Sequence, residues 1–434
     1  AVANFLGGYP SGSAFAGAIE TSELTRFVDL LALAAVALAT LGGGALLARD
    51  RKNQGEFYAL LLWSAAGLML MVKGDDLLVV FIGLEVMSIA LYVLAAWYRE
   101  VAEATEAAMK YFLMGALAST FLLLGVALVY GRLGSTRLTA LKGALASGEG
   151  FSDPMLQVGL LAILAALAFK IALVPFHSWA PDVYQGMTTP AVAFLSTAPK
   201  AAAVVVAVKV LGTLAPSGLG EPWRPLLSLL AILSILFGNV VALAQRDLKR
   251  MLAYSGIAQM GYVAIGLATF DGAAFEGILV FLAGYLATNI AAFLAVAALS
   301  NGEKEAHPLA DLAGMGRNRP FAASVLTLAM LSLTGLPPTV GFIGKLLVFR
   351  AAIDAGLMTL ALVGIFGSLV SAGYYLRVVY TLWMKEPSRE VSVPEEDVLS
   401  GAAYILVSVA MLYLGVFPRL LLDLARVAAR SLPY

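Results

Sequence analysis

Residues 169–179 read FKIALVPFHSW and residues 331–345 read LSLTGLPPTVGFIGK, and both stretches lie inside long apolar segments of the chain. Each contains one lysine, Lys170 or Lys345, beside prolines, which interrupt a helix because proline has no backbone N–H to donate. A charge near the centre of a bilayer is costly, so such residues usually face a protein interior or a water-filled path. The two stretches therefore predict a multi-pass membrane protein that moves an ion.

The composition agrees with a place in the bilayer. The 434 residues are 61% hydrophobic and only 13% charged, with a mean hydropathy of +0.88, whereas an ordinary soluble domain is roughly a quarter charged. The chain has no cysteine and two histidines, which excludes thiolate-held iron–sulfur clusters, the common zinc sites and a bis-histidine haem within one subunit. The basic residues are scattered, so nothing indicates nucleic-acid binding. Any redox chemistry is expected in a partner protein.

Twelve apolar segments are long enough to cross a hydrocarbon core of ~30 Å, so we expect an all-α integral membrane protein with about 12 transmembrane helices. The predicted spans cover residues 27–48, 57–72, 76–98, 106–130, 155–175, 189–211, 225–244, 251–270, 273–300, 321–350, 357–384 and 399–424. The piece 176–187 is too short to span alone and is interpreted as the second half of a discontinuous helix.

The two interrupted helices lie five span positions apart, which favours two inverted repeats with a functional site at their interface. Lysine and arginine are more frequent on one side of the predicted spans, and the positive-inside rule then puts both termini on the outer side. Residues 418–432 interleave Leu and Val with Arg at helical spacing, as in a helix that lies along the membrane interface. The predicted units are an outer-side N-terminal segment 1–26, a transmembrane domain 27–424 with a first repeat at about 57–211, a second repeat at about 225–384 and a final helix 399–424, and a C-terminal tail 425–434.

Three lysines are candidates for the ion path. Lys170 and Lys345 belong to the interrupted helices, and Lys200 lies eleven residues into the span 189–211, directly after Pro199. The alternative for Lys170 and Lys345 is a side chain that snorkels to the membrane surface. Lys209, near the end of the same span as Lys200, is most simply such a surface lysine.

One glutamate, Glu85, lies ten residues into its span, within LVVFIGLEVMSIALY at residues 78–92. An unpaired carboxylate there would be protonated or held by a cation; the alternative is a neutral, hydrogen-bonded glutamic acid. Gly83 and Ser88 on the same segment predict a closely packed helical face.

Glu106 and Lys110 have the i, i+4 spacing of a helical ion pair, and a terminal salt bridge and a role beside Glu85 both stay open. His177 is a candidate proton relay or a hydrogen-bonding group at the helix break. His307 lies in a loop and has no predicted role. Helix capping explains a further set of acidic residues at predicted helix starts: Asp75, Asp76, Asp182, Asp271 and Glu276.

Buried lysines with a glutamate favour protons as the transported ion. Burial favours the neutral form of a lysine and a nearby carboxylate favours its charged form, so a change of pairing loads or releases a proton. Sodium would require a cluster of oxygen ligands, and the predicted spans contain few carboxylates.

The chain resembles a known family in three long motifs: FK…PFHSWAPDVYQG…TP at residues 169–190, LAQRDLKRMLAYSGIAQMGY at 243–262, and LSLTGLPPTVGFIGK at 331–345. They are similar to the membrane subunits of respiratory complex I that are related to Mrp-type cation/proton antiporters. EAAMKYFLMGALAS at residues 106–119 is most similar to the subunit N type. The resemblance extends over about residues 56–385.

The resemblance implies a fourteen-helix subunit with two inverted five-helix repeats, each with a discontinuous helix, that moves protons while a distant arm reduces quinone with NADH. It implies that NADH, flavin, iron–sulfur clusters and quinone bind to partner subunits, and that this chain is a non-redox subunit of a bacterial inner (plasma) membrane translocase. The site residues that it implies are Glu85, Lys170, Lys200 and Lys345, together with Glu106, Lys110 and His177.

Two features depart from the family pattern. The twelve predicted spans correspond to the family's third to fourteenth helices, so its first two are expected to be absent from this chain. Pro199 stands where a small polar residue commonly precedes the lysine of the eighth helix, which predicts an altered backbone at Lys200. The alternative functions are a subunit of an Mrp-type antiporter or of an ion-pumping hydrogenase or dehydrogenase, and a structural anchor, which would have no need of four intramembrane charges.

Overall fold

The computed structural model describes residues 11–49, 54–146, 153–214, 222–300, 308–386 and 398–431, so His307 lies outside the described residues. The described part opens with an antiparallel hairpin of two short strands, β1 (Gly12–Ala14) and β2 (Ile19–Thr21). The first helix then begins at Glu23, four residues before the predicted span. The rest of the described chain is almost entirely helical.

The helices follow in this order: α1 (Glu23–Arg49), α2 (Gln54–Lys73), α3 (Leu77–Ala95), α4 (Ala102–Leu133), α5 (Leu138–Ala146), α6 (Pro154–Ile171), α7 (Trp179–Gly186), α8 (Thr189–Leu195), α9 (Ala198–Gly212), α10 (Arg224–Ala244), α11 (Leu248–Leu267), α12 (Gly272–Leu299), α13 (Met315–Asn318), α14 (Pro320–Thr334), α15 (Val340–Asp354), α16 (Met358–Met384), α17 (Val398–Val416) and α18 (Arg419–Arg430).

Ten segments of the described part are helical, long and apolar enough to cross a membrane: α1 to α4, α6, α8 with α9, α10, α12, α16 and α17. The chain is therefore an integral, multi-pass membrane protein. The two other predicted spans are also helical. The predicted span 251–270 corresponds to α11, which ends at Leu267 and whose first turn contains Lys249 and Arg250. The predicted span 321–350 divides into α14 and α15 on either side of the break at 335–339.

Both predicted helix breaks are present, and they close in the same way. α6 and α14 end in a residue of left-handed conformation, Ala172 (φ 62°) and Gly335 (φ 89°). In both helices, the residue after the left-handed one donates its N–H to the carbonyl five positions earlier in the chain. This bond satisfies a carbonyl that the interrupted helix would otherwise leave free. These bonds join Leu173 to Ala168 (2.9 Å) and Leu336 to Leu331 (3.1 Å). The common geometry is notable because the two breaks share little sequence.

The predicted span 189–211 also contains a break, at Ser196 and Thr197, one turn before Lys200. α8 ends at Leu195 because Pro199 has no N–H for the Leu195 carbonyl and its ring clashes there. The hydroxyls of Ser196 and Thr197 instead donate to carbonyls at the end of α8. The irregular backbone is thus at Ser196 and Thr197, and Lys200 itself lies in the first turn of α9.

The centre of the molecule is formed by α8 and α9, which are buried along their whole length, and by α12, which is buried except near its ends. α9 packs against α2 and α6, whereas α12 packs against α14 and α15. Beside α9, the backbones of α2 and α3 approach each other closely. A Cβ on Gly83 of α3 would lie only 2.4 Å from the Met71 nitrogen of α2. The closely packed face predicted around Gly83 is therefore confirmed.

The last predicted span, 399–424, is too long. α17 ends at Val416, and Pro418 immediately precedes the separate helix α18, because proline is favoured at a helix start and not inside one. Residues 425–430, predicted as part of the tail, belong to α18. This helix packs against α1 and α12.

Candidate functional site

Lys170 is buried near the end of α6, two residues before Ala172 closes the helix. Its ammonium donates to Ser88 Oγ at 2.7 Å and to Tyr111 Oη at 3.4 Å. It also lies 5.8 Å and 5.4 Å from the ring centres of Tyr92 and Tyr111, within the range of a cation–π contact. The side chain is held between α3 and α4 inside the protein, and it does not extend to a helix end.

Glu85 lies on α3, one helical turn from Ser88, and accepts a hydrogen bond from the hydroxyl of Ser119 on α4. Among the described residues, no ion pair joins Glu85 directly to Lys170. A cavity of about 10 Å³, roughly the space of one water molecule, is lined by both Ser119 and Lys170. The carboxylate and the ammonium are therefore separated by hydroxyl groups and a water-sized space.

The outward surface around Glu85 is apolar. The carboxylate is only partly buried, and four residues on the same side of α3 are exposed: Leu78, Ile82, Ile89 and Val93. Glu85 is thus the one ionisable group along this exposed stripe of α3.

Lys200, on α9, is almost completely buried, and its ammonium has no hydrogen-bond partner among the described residues. It lies 5.5 Å from the ring centre of Tyr184 on α7. A row of aromatic rings connects this tyrosine to the Lys170 region. Trp179 stacks on Tyr111 at 4.8 Å and meets Tyr184 edge-on at 6.4 Å.

Lys345, on α15, turns back into the break that follows α14. Its ammonium donates to the Leu333 carbonyl at 2.8 Å and to the Thr334 carbonyl at 3.0 Å, and it lies 4.8 Å from the ring centre of Tyr262. The interrupted backbone leaves these carbonyls available. Gly335 makes room for the lysine, since a Cβ there would lie 3.0 Å from Lys345 Cδ.

Glu106 and Lys110 form the predicted ion pair, at 2.6 Å, at the partly exposed start of α4. Lys110 also pairs with Asp182 of α7 at 2.6 Å, and Asp182 pairs with Arg250 of α11 at 2.6 Å. Lys110 is nine residues from Ser119, the partner of Glu85, or about 13 Å along a helix. The structure therefore pairs Glu106 with Lys110 and Lys110 with α7, and it does not place the pair beside Glu85.

The capping prediction for acidic residues is only partly right. Asp76 caps α3 through the Leu78 N–H, but Asp182 is wrongly predicted, because it lies inside the first turn of α7 and binds two cations. Asp271 precedes α12 without a side-chain cap bond. Glu276 pairs with Arg426 of α18 at 3.3 Å.

His177 lies in the linker between α6 and α7, half-buried, with its ring edge-on to Phe237 at 4.7 Å. In the described part of the chain, no hydrogen bond connects it to Lys170. The structure thus groups Glu85 with Lys170, and Lys345 with its own break, whereas His177 lies apart from both.

Several polar residues around the lysines were not singled out from the sequence. The hydroxyl partners Ser119 and Tyr111 resemble any other residue of an apolar span, so sequence gave no usable signal for them. Gln259, Tyr285 and Asn289 lie near the middle of α11 and α12. The amides of Gln259 and Asn289 could have been recognised from the sequence, because an uncharged polar side chain in the middle of a span requires a hydrogen-bond partner.

No three His, Asp or Glu side chains converge on a possible metal site within the described ranges. The site instead consists of one carboxylate and three ammonium groups, separated by hydroxyls, amides and aromatic rings. Carboxyl, ammonium and hydroxyl groups can exchange protons where hydrogen bonds connect them. The four candidate groups lie on α3, α6, α9 and α15.

Comparison with known proteins places this arrangement in a family. Residues 74–371 match the family described as NADH:quinone oxidoreductase/Mrp antiporter, transmembrane. The chain is 38% identical to NADH-quinone oxidoreductase subunit N of Trichlorobacter lovleyi over 96% of its length and 86% of that protein. It is 40% identical to subunit N 1 of Acidiphilium cryptum over 99% of its length and 89% of that protein.

A solved structure has the same fold. A chain of respiratory complex I from Thermus thermophilus with bound aureothin is 37% identical, with a TM-score of 0.81 over 95% of this chain and 88% of that one. The sequence motifs, the buried lysines and these matches agree. The chain therefore belongs to the NADH:quinone oxidoreductase/Mrp antiporter family of membrane proteins, whose members cited above are named subunit N.

Proposed function

We propose that this chain is the subunit N-type, proton-translocating membrane subunit of a complex I-like NADH-quinone oxidoreductase in a bacterial inner membrane. The observation that carries the proposal is the row of buried cations, Lys170, Lys200 and Lys345, each beside a helix break. NADH, flavin, iron–sulfur clusters and quinone are assigned to partner subunits. This chain has no cysteine to ligate a cluster.

Protons are proposed to pass in the order Glu85, Lys170, Lys200, Lys345. A buried lysine is least costly when neutral, and a carboxylate that approaches it stabilises the charged form. Movement of the Glu85 carboxylate towards or away from Lys170 would therefore load or unload the lysine. Ser88 and Ser119 hold the two groups apart in the present geometry.

We also propose that the membrane domain consists of twelve spans that include two inverted five-helix repeats. The first contains α2, α3, α4, α6–α7 and α8–α9 (about 57–211), and the second contains α10, α11, α12, α14–α15 and α16 (about 225–384). Corresponding helices pack against each other in the two repeats. α2 packs on α3 as α10 packs on α11, and α4 packs on α6 as α12 packs on α14. The common closure at Ala172 and Gly335 supports the same correspondence.

The test uses the purified assembly in sealed vesicles, with NADH oxidation and proton uptake measured together. Lys170→Met removes the charge and keeps an apolar side chain of similar length, so the fold is expected to survive. Lys209→Met is the matched control, because Lys209 is also buried in α9 but donates to the Val72 and Gly74 carbonyls at the end of α2.

Lys170→Met is expected to abolish proton uptake attributable to this subunit, and Lys209→Met is expected to leave it nearly unchanged. Equal uptake in wild type and Lys170→Met would overturn the proposed path. An assembly that contains this chain but has no NADH-quinone activity would instead favour an Mrp-type antiporter or a hydrogenase or dehydrogenase with another donor.

A further inference from the structure

The space between Lys200 and Lys345 is crossed by α11 and α12. A Cβ on Gly256 of α11 would lie 3.0 Å from Tyr285 Oη and 3.4 Å from Lys200 Nζ. Both polar atoms therefore border the same small space beside a glycine. Because the buried ammonium of Lys200 has no protein partner among the described residues, it requires a hydrogen-bonding group there, and a water molecule meets that requirement.

Tyr285 is oriented to serve such a water. Its hydroxyl accepts a hydrogen bond from Asn289 Nδ2 at 3.3 Å, which leaves its own hydrogen to donate elsewhere. Asn289 is anchored in turn, since it donates to Ser196 Oγ at 2.7 Å in the break before Lys200. Ser196, in the break before α9, is thus linked through Asn289 to the Tyr285 hydroxyl.

Tyr285 also borders the site of Lys345. A cavity of about 10 Å³ is lined by Tyr285, Gln259 and Lys345, which is roughly the space of one water molecule. Gln259 donates to the Leu333 carbonyl at 2.9 Å, the same oxygen that accepts from Lys345. Tyr285 is therefore next to Lys200 on one side and next to the Lys345 cavity on the other.

We infer that Tyr285 is the proton relay between Lys200 and Lys345, and that Gly256 keeps open the water-filled space on the Lys200 side; this inference rests on the proposed function. In the transfer, the Tyr285 O–H bond breaks towards the acceptor as a new O–H bond forms with a proton from the donor. The phenol is neutral before and after the step, and one proton has moved.

Two substitutions test the relay in the complete complex in vesicles. Tyr285→Phe removes the hydroxyl, and its matched control is Tyr374→Phe, which removes an equally buried hydroxyl that donates to Asn239. Gly256→Ala places a methyl group in the proposed water space, and its matched control is Gly401→Ala in α17, where nothing lies within 4 Å of the added carbon. Alanine is favoured over glycine in helices, so neither alanine should unfold the chain.

Tyr285→Phe is expected to slow NADH-driven proton uptake by at least about tenfold, and Gly256→Ala is expected to slow it in the same direction. Both should increase the rate difference between H₂O and D₂O, because proton transfer becomes the slow step; a purely structural role of Tyr285 would not change that difference. The two control variants should retain the wild-type rate and the wild-type solvent isotope effect.

The outcomes distinguish failure of the Tyr285 relay from failure of the proposed function. If Lys200→Met and Lys345→Met stop uptake but Tyr285→Phe and Gly256→Ala do not slow it, the relay is wrong and the proposed function stands. If none of the four variants changes uptake, the proposed function itself fails.

Discussion

The two interrupted helices close in the same way but hold their lysines differently. Lys170 lies before its break and bonds to the side chains of Ser88 and Tyr111 on neighbouring helices. Lys345 lies after its break and bonds to the main-chain carbonyls of Leu333 and Thr334. Side-chain partners can rotate away, whereas carbonyls at a helix end stay in place. On the proposed path, we therefore expect the pairing of Lys170 to change and the environment of Lys345 to stay fixed.

The largest expected effect comes from loss of either lysine. Lys170→Met and Lys345→Met should each lower the proton uptake attributable to this chain by about a hundredfold or more, the usual range for removal of an essential proton-transfer group. Uptake in sealed vesicles is the measurement. A variant that keeps more than about half of the wild-type uptake would exclude its lysine from the path.

A second prediction compares the left-handed residues that end α14 and α6, Gly335 and Ala172. Gly335→Ala should destabilise the chain by about 1–2 kcal/mol, because alanine is strained at positive φ and its methyl group would crowd Lys345. Ala172→Gly, at the equivalent position, should be neutral or slightly stabilising, since it relieves that strain. Thermal unfolding of the purified complex compares the two variants, and a larger loss in Ala172→Gly would contradict the account.

Ser88→Ala should have an intermediate effect. It removes the nearest hydrogen-bond partner of Lys170, so we expect proton uptake to fall several-fold while NADH-binding subunits remain assembled. Ser64→Ala is a suitable control, because Ser64 is a buried serine of α2 that donates to the Met87 carbonyl of α3. No comparable side-chain substitution exists for the carbonyl partners of Lys345. Unchanged uptake in Ser88→Ala would remove the proposed difference between the two lysines.

The smallest effect is expected at Asp182. Asp182→Asn weakens the pairs with Lys110 and Arg250, and such partly exposed pairs contribute roughly 0.2–1 kcal/mol each. We expect a decrease in unfolding temperature of a few degrees or less that diminishes further at high salt, with near-normal uptake. A complete loss of uptake would mean that the anchoring of α7 is part of the proton path.

The helical spans and the breaks were predictable because apolar length and proline are local signals. The charged residues within the spans were equally evident from the sequence, although their roles stay predictions. The partners were not predictable, because Lys170 and Ser88 are 82 residues apart in the chain and only packing brings them together. The same applies to Asp182, whose position at a predicted helix start indicated a cap and whose two cationic partners come from other helices. The hairpin β1–β2 lies in a segment without a strand signal.

The central claim is that the two breaks belong to one serial path, and a double variant tests it most directly. Proton uptake is measured in vesicles for Lys170→Met, Lys345→Met and the double variant, at matched levels of assembled complex. A serial path predicts that each single variant blocks uptake and that the double variant is no worse than the slower single one. If each single variant retains about half of the wild-type uptake and only the double variant loses it, the breaks conduct in parallel and the claim is wrong.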